Sequence, residues 1–457
     1  MDTRALTVSF QAGPIESLDI VGLSVERRLG KVAAATVELR TATYAEPDEL
    51  LGLPARVAFG RGEAEHDLVG VVMSVSLITS PEDDAREHLA YRFHLTSCLG
   101  LLTRSVDCAI FQDKDVKEIV SEVLRDHGIT DAMQSWRLTA EYPKREYCVQ
   151  YNESALAFIS RLLEEEGIFF FSEVGDSGEL VVFEDDSTLA DPIDGEKTIP
   201  YRHGAGLDAA DDAIGVIHQR VRTASGKVTF RDYDFKRPEL DLTATATADA
   251  ATDLEIYDYP GHYTEPEQGS RLAQVRLESI QAVRQTLDLE SGCARLVAGR
   301  WITLVETPWD IDGDYLITGV VHELRAGAYR VHAEVIPKKT KFRTPQNTPS
   351  PILDGPQTAM IVAPPGSPPE EIHTDEHGRC KVQFHWNYSM PQTSAGIVTP
   401  SSASNPADSR RCRPPPRPFD GSDRRRLRRR LPPARPEAPN RLRSRCTPAP
   451  PPQPLQH

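Results

Sequence analysis

"LVGVVMSVSL" at residues 68–77 is followed by "AYRFHLTS" at 90–97. The pair returns as "LITGVVHELR" at 316–325 followed by "AYRVHAEV" at 328–335. Gly70-Val71-Val72 matches Gly319-Val320-Val321, and Tyr91-Arg92-Phe93-His94 matches Tyr329-Arg330-Val331-His332. A further strand-like run precedes each copy, "ARVAFGR" in one and "RWITLVE" in the other, and only the first copy carries the charged insertion "TSPEDDAREHL". Valine-rich hairpins can resemble one another by chance. The shared order of the pieces points instead to a duplicated unit, two related β-barrels on either side of something different.

The intervening sequence changes period. In "DVKEIVSEVLRDHG", Val116, Ile119, Val120, Val123 and Leu124 fall on one helix face, with Asp115 and Glu118 spaced as a capping box and Gly128 as the stop. A second helix follows in "SALAFISRLLEEEG", with stripe Ala155, Leu156, Ile159, Leu162 and Leu163, cap Ser154 and terminator Gly167. "IFFFSEVGDSGELVVFEDD" then reads as a hairpin around Gly-Asp-Ser-Gly. A later helix is expected in "GSRLAQVRLESIQAVRQTL", where Leu272, Val275, Ser279, Ile280, Val283 and Leu287 share a face. The expected fold is mainly β with an α+β insert: a first barrel over 1–105, the insert over 106–190, a second barrel over 191–345, a linker and hairpin over 346–390, and a Pro/Arg-rich tail over 391–457.

Charge divides the chain in the same place. From Val398 to His457 there are 14 Arg, no Lys and 4 acidic residues, a net of +10, so the rest of the −16 chain carries −26. An acidic body lacks the clustered Lys and Arg that phosphate-backbone binding needs, so nucleic acid is not an expected partner. Seven cysteines, none in C-x-x-C spacing, fit a reducing compartment without disulfides or a zinc site. The N-terminus has no apolar signal core and no run reaches the ~18 apolar residues of a membrane span, so the expected product is made in the cytoplasm.

Candidate chemistry is sparse. His373, His377 and His385 lie near Asp375 and Glu376, but no ligand spacing matches a metal site. Glu164, Glu165 and Glu166 end a helix, where acids oppose its dipole; the expectation is a solvated helix face. No nucleophile, phosphate-loop or zinc-helix motif occurs, so neither an enzyme nor a cofactor is expected.

Four long blocks, "REYCVQYNESALAFISRLLEEEGIFFFSE", "LEIYDYPGHY", "GPQTAMIVAPPG" and "EEIHTDEHGRCKVQFHW", occur in this order. They resemble the signature blocks of the VgrG (Vgr/Rhs-element) spike family of type VI secretion. The resemblance covers roughly residues 5 to 386. It implies the phage tail-hub architecture, assembly as a homotrimer, and an OB-fold neck leading to a β-helix needle. It also implies partners: the Hcp tube, the baseplate, and a Pro-Ala-Ala-Arg tip protein or effectors. Export by the type VI apparatus would need no signal peptide and no integral membrane segment. The family acts mechanically, so its important residues are structural: Tyr257, Tyr259, Pro260 and Gly261 in the second block, and Asp375, Gly378, Lys381, Val382, Phe384 and Trp386 in the fourth. That last block would open the OB-fold, turning at Asp375–Gly378 and burying Val382, Phe384 and Trp386.

The sequence departs from the family after Asn387. The further OB strands are missing, "MPQTSAGIVTPSS" looks like the segment that normally follows them, and then "SNPADSRRCRPPPRP" begins. With 15 of the 36 prolines and one aromatic in its last sixty residues, this end reads as a frameshifted, disordered tail. The resulting expectation is a truncated spike that keeps the hub, trimerises weakly and cannot support secretion alone. A phage or phage-derived baseplate hub is the first alternative, and a hydrolytic effector the second.

Overall fold

The computed structural model describes residues 6–398 apart from 17–18, 62–63, 79–88, 176–177, 203–211, 354, 356, 363–373, 375–376 and 388–396. The expected tail beyond 398 and the expected turn residue Asp375 therefore lie outside the described residues.

In chain order the first half supplies β1 (Leu6–Ala12), β2 (Asp19–Arg28), β3 (Ala34–Thr41), β4 (Pro54–Arg61), β5 (Ala64–Ile78) and β6 (Leu89–Thr96). The insert follows as β7 (Val106–Phe111), α1 (Val116–Asp126), β8 (Gln134–Arg137), β9 (Cys148–Ser154), α2 (Ala155–Glu166), β10 (Phe169–Gly175) and β11 (Gly178–Glu184). The second half begins with β12 (Thr198–Pro200) and β13 (Ile214–Val221). It is interrupted by β14 (Lys227–Asp232), β15 (Leu242–Thr247), β16 (Glu255–Asp258) and α3 (Pro266–Ala282). It resumes with β17 (Gln285–Ser291), β18 (Trp301–Val305), β19 (Gly313–Arg325) and β20 (Ala328–Pro337). Three short strands, β21 (Ala359–Ile361), β22 (Lys381–Phe384) and β23 (Ile397–Val398), form a separate sheet.

The duplication suggested by the sequence reappears as topology. Side by side, the first half runs β2-β3-β6-β5-β4-β1 and the second runs β13-β17-β20-β19-β18-β12. Numbered within its own half, each order is 2-3-6-5-4-1. Both long strands carry a bulge, β5 between Val72 and Ser74 and β19 between Ile317 and Gly319. The registers of the two copies differ by two residues: Leu77 opposes Tyr91 while Leu324 opposes Tyr329. A displacement of two residues preserves the inward face, and Tyr91, Phe93, Tyr329 and Val331 are all buried. Gly70 is required by close approach, since a Cβ there would sit 2.2 Å from the Thr96 carbonyl oxygen.

The halves are not separate sheets. Gly22–Arg28 of β2 pairs antiparallel with Gly319–Arg325 of β19, so one sheet passes through both, with the short strand Ile15–Glu16 beside β1 as its thirteenth member. Each half nonetheless curls around its own core. The first is built on Val25, Val37, Val57, Tyr91 and Phe93, the second on Leu287, Ile302, Ile317, Val331 and Val335. An isolated bridge between Tyr201 and Ile214 brings the ends of the second half together.

The insert's helices form as the sequence dictates. Asp115 accepts from the Glu118 amide at 2.8 Å and Glu118 returns the bond to the Asp115 amide at 2.9 Å. Ser154 caps α2, and Gly167 ends it in the left-handed conformation at φ +76. Phe158, absent from the predicted stripe, is fully buried, while Leu156 only packs at the edge. The third helix is shorter than its apolar pattern suggests. It stops at Ala282, and Leu287 belongs to β17, where it is buried in the second half's core instead of lying on a helix face.

Candidate functional site

Two places gather the signature blocks. The first is the three-stranded sheet β15-β14-β16 with α3 laid across it, a module with its own core inserted between β13 and β17. Here the "LEIYDYPGHY" block makes the edge strand. Tyr257 and Tyr259 are exposed, the Tyr259–Pro260 peptide is cis, and the Gly261 amide donates to the Arg231 carbonyl at 3.0 Å. The residue that explains the block was missed by sequence reasoning. Tyr263 is buried, and its hydroxyl bonds the carbonyls of Leu242 and Phe230 at 2.5 and 3.2 Å. A Cβ at Gly261 would lie 2.4 Å from one edge of that ring, and a Cβ at Gly269 of α3 would lie 2.3 Å from the other. The two glycines are thus a slot for one tyrosine, which ties the helix to its sheet.

The second place is the "DEHGRCKVQFHW" block. Thr374 bridges Cys380 around Gly378, whose φ of +73 suits glycine. Lys381–Phe384 is flanked on both sides, by Ala359–Ile361 and by Ile397–Val398. Ile397–Val398 thus gives this strand a second neighbour from within the segment assigned to the tail. Val382, Phe384 and Trp386 are half-buried, but so is Gln383, so burial does not alternate cleanly as the sequence suggested. Phe384 stacks on Trp386 at 5.0 Å between ring centres, and the Trp386 ring meets Tyr151 edge-on at 5.4 Å. Trp386 Nε1 donates to Gln357 Oε1 at 2.8 Å, and Gln357 Nε2 donates to the Tyr151 hydroxyl at 3.0 Å. Arg379 pairs with Glu146 at 2.7 Å, with Lys236 at 3.6 Å from the same carboxylate. The Arg379 hydrogen bond, helped by Lys236, holds that carboxyl below its ordinary range. Of the histidines beside it, His377 packs its ring against Phe235 and His385 is exposed. Trp386→Ala is expected to raise hydrogen exchange of residues 381–384 about tenfold or more, because an aromatic pair and one hydrogen bond are worth ~1.5–2 kcal/mol together. Unchanged exchange would show that the strands hold themselves.

Between these places lies a buried ionic cluster where a solvated helix face was expected. Glu164 and Glu166 are only 5% and 2% exposed. Glu164 accepts from the amides of Asn347 and Thr348 at 3.0 and 2.9 Å and from the Thr348 hydroxyl at 2.8 Å. Glu166 is held by Arg145 and by Arg271 of α3, each at 2.5 Å. Burial alone would lower Arg145, but Glu165 and Glu166 outweigh it and hold the guanidinium firmly charged. Arg343 completes the cluster, donating to the carbonyls of Gly167 and Asp185 at 2.6 Å each and to Glu278 at 2.8 Å. The acids at the end of α2 therefore fasten three things to one helix: the insert, the α3 module and the strap over residues 342–348. The partners stand 21, 105 and 184 positions away in the chain, beyond any local pattern.

The described residues contain no helix long and apolar enough to cross a membrane. The model of the phage tail baseplate hub (GPD) family matches residues 26–328. Among curated proteins the chain is similar to the type VI secretion system spike protein VgrG1c of Pseudomonas aeruginosa, 34% identical over 403 residues. That match covers 84% of this chain and 54% of the relative. VgrG4b of the same organism is 35% identical over 367 residues, covering 74% and 44%. The chain spans about half the length of these relatives. Among solved structures, the Escherichia coli c3393 protein, a type VI secretion component described as similar to T4 tail proteins gp27 and gp5, superposes with a TM-score of 0.64. Its identity is 21%, over 84% of this chain and 91% of that one. The 43 kDa tail protein of prophage MuSo2 from Shewanella oneidensis gives 0.54 at 12% identity, over 74% and 100%. With its hub-like fold and the match of its family model over residues 26–328, the chain belongs to the phage tail baseplate hub (GPD) family, and it is similar to type VI secretion spikes of the VgrG kind.

Proposed function

We propose that three copies of this chain form the hub of a type VI secretion spike, seated on a six-membered ring of the Hcp tube. The observation that carries this reading is the repeated 2-3-6-5-4-1 strand order. A trimer of a chain with two similar halves presents six similar units, which lets a threefold object meet a sixfold ring without a gross mismatch. The work of such a part is mechanical and not catalytic: it seats on the tube and carries whatever lies beyond residue 386. The Arg343 and Tyr263 fastenings belong to that task, since they fix the inserted pieces to the hub. The baseplate would surround the hub, and a Pro-Ala-Ala-Arg tip protein or effectors would ride ahead of it. The protein would be made in the cytoplasm and leave with the apparatus.

Native mass spectrometry of the full chain mixed with purified Hcp tests the reading. The expected assembly holds three copies of the chain for each six-membered ring. Six copies per ring, or no complex while Hcp rings remain intact, would reject it.

A further inference from the structure

The seam between the halves contains a cluster that the hub architecture does not require. His66 of β5 and His322 of β19 stand 5.1 Å apart between ring centres, and Phe59 of β4 lies 5.1 Å from each. Both histidines are buried, at 8% and 1% exposure. His66 Nε2 bonds the carbonyl of Ala294, in the connection between β17 and β18, so a side chain of the first half is tied to backbone of the second. His322 Nδ1 lies 2.7 Å from the Tyr329 hydroxyl. A neutral ring with its proton on Nε2 accepts from the tyrosine at Nδ1, whereas a second proton there would face a hydroxyl that is already donating.

Charge around the pair makes that second proton costly. From β2 comes Arg27, whose terminal nitrogen bonds the Asp67 carbonyl and whose buried Nε has no partner. From β4 comes Arg61, near Tyr329. The carboxylates of Asp67 on β5 and Asp194 ahead of β12 act on His66, and Glu179 on β11 acts on Arg27. Cys293 lies beside Tyr329. His322 is lowered first by its burial, then by the His66 ring and Arg27, against a smaller opposing effect of the Leu296 backbone. Water has a route to the cluster, because Arg27, His66 and Asp67 line a cleft of about 1010 Å³ between the halves and the insert.

We propose that this seam is an acid-sensitive joint: protonation of His66 and His322 loosens the pairing of β2 with β19 while each half keeps its own fold. The direction follows from linkage. Burial holds His322 well below its ordinary 6.5 and lowers His66 as well, so the opened seam binds protons that the closed seam refuses. Closure is complete above pH 6.5 and weakens as pH falls from there toward the closed-state values. A hub moved from a neutral to an acidic aqueous phase would loosen here without any ligand.

Hydrogen exchange of the full chain tests this, corrected for the intrinsic pH dependence of exchange and compared at about pH 7.5 and about pH 5. Residues 22–28 and 319–325 are expected to exchange at least about tenfold faster at the lower pH, while the β4–β5 ladder inside the first half changes little. In the double substitution His66→Gln and His322→Gln the seam-specific increase is expected to vanish. If the wild-type seam accelerates no more than the β4–β5 ladder, the proposal is overturned, whether or not the double variant folds. If the folded double variant keeps the full acid response, the histidines are not its cause and the proposal fails equally.

Discussion

Arg343→Ala is expected to destabilise the hub by about 3–5 kcal/mol, the range for removing one partner of a buried ion pair. The side chain is 8% exposed and satisfies two backbone carbonyls as well as Glu278. Truncation leaves the carbonyls of Gly167 and Asp185 without this donor, and a largely buried carboxylate with the Gln274 amide but no cation. Against a typical stability of ~5–15 kcal/mol this is a large fraction, and it falls on one position after the last hub strand. Arg343→Lys should recover only part of the loss, because an ammonium cannot match the fork that reaches all three acceptors. Urea denaturation measures it: a lowered midpoint at unchanged slope is the expected signature. A loss below about 1 kcal/mol would mean that water replaces the guanidinium, and that the cluster is not a fastening.

Gly269→Ala should run against helix propensity. Alanine in a helix interior is favoured over glycine by ~1 kcal/mol. Here the added methyl would stand 2.3 Å from the Tyr263 ring, which Gly261 blocks from retreating on the other side. Overpacking of this kind costs ~1–3 kcal/mol, and any tilt of the ring also strains two hydroxyl bonds. The expected net effect is destabilisation by ~1–2 kcal/mol, concentrated in β14–β16 and α3. A double-mutant cycle with Tyr263→Ala sharpens the test: once the ring is gone, Gly269→Ala should become neutral or stabilising. Additive effects would show that the slot is not what keeps glycine there.

What could be read from the sequence was what repeats or is local. The echo at Gly70 and Gly319, the capping box at Asp115 and Glu118, and the stop at Gly167 each depend on neighbours in the chain, and each corresponds to a feature of the fold. The misreadings have one cause. Glu164 and Glu166 look like a solvated face because their partners are brought by folding from 342–348, Arg145 and Arg271. Tyr263 looks like any tyrosine because nothing in a single sequence says that glycines two positions before it and six after it share its ring. The pattern of α3 ran past Ala282 because Leu287 keeps the helical spacing by accident while its side chain is claimed by a strand. The surroundings of the fourth block are set in part by Tyr151 and Gln357, both outside it in sequence.

The thirteen-residue strand β19 belongs to both halves at once, with β20 on one side and β2 on the other. The β2 side offers seven paired positions in an antiparallel ladder, whose hydrogen bonds lie across the strand axis. A pull along that axis puts all of these rungs in shear together, and they must fail nearly at once. A pull at right angles opens them singly, like a zip, at far lower force. The seam is therefore stiff along one axis and weak along another, and the direction of a load decides which one it meets.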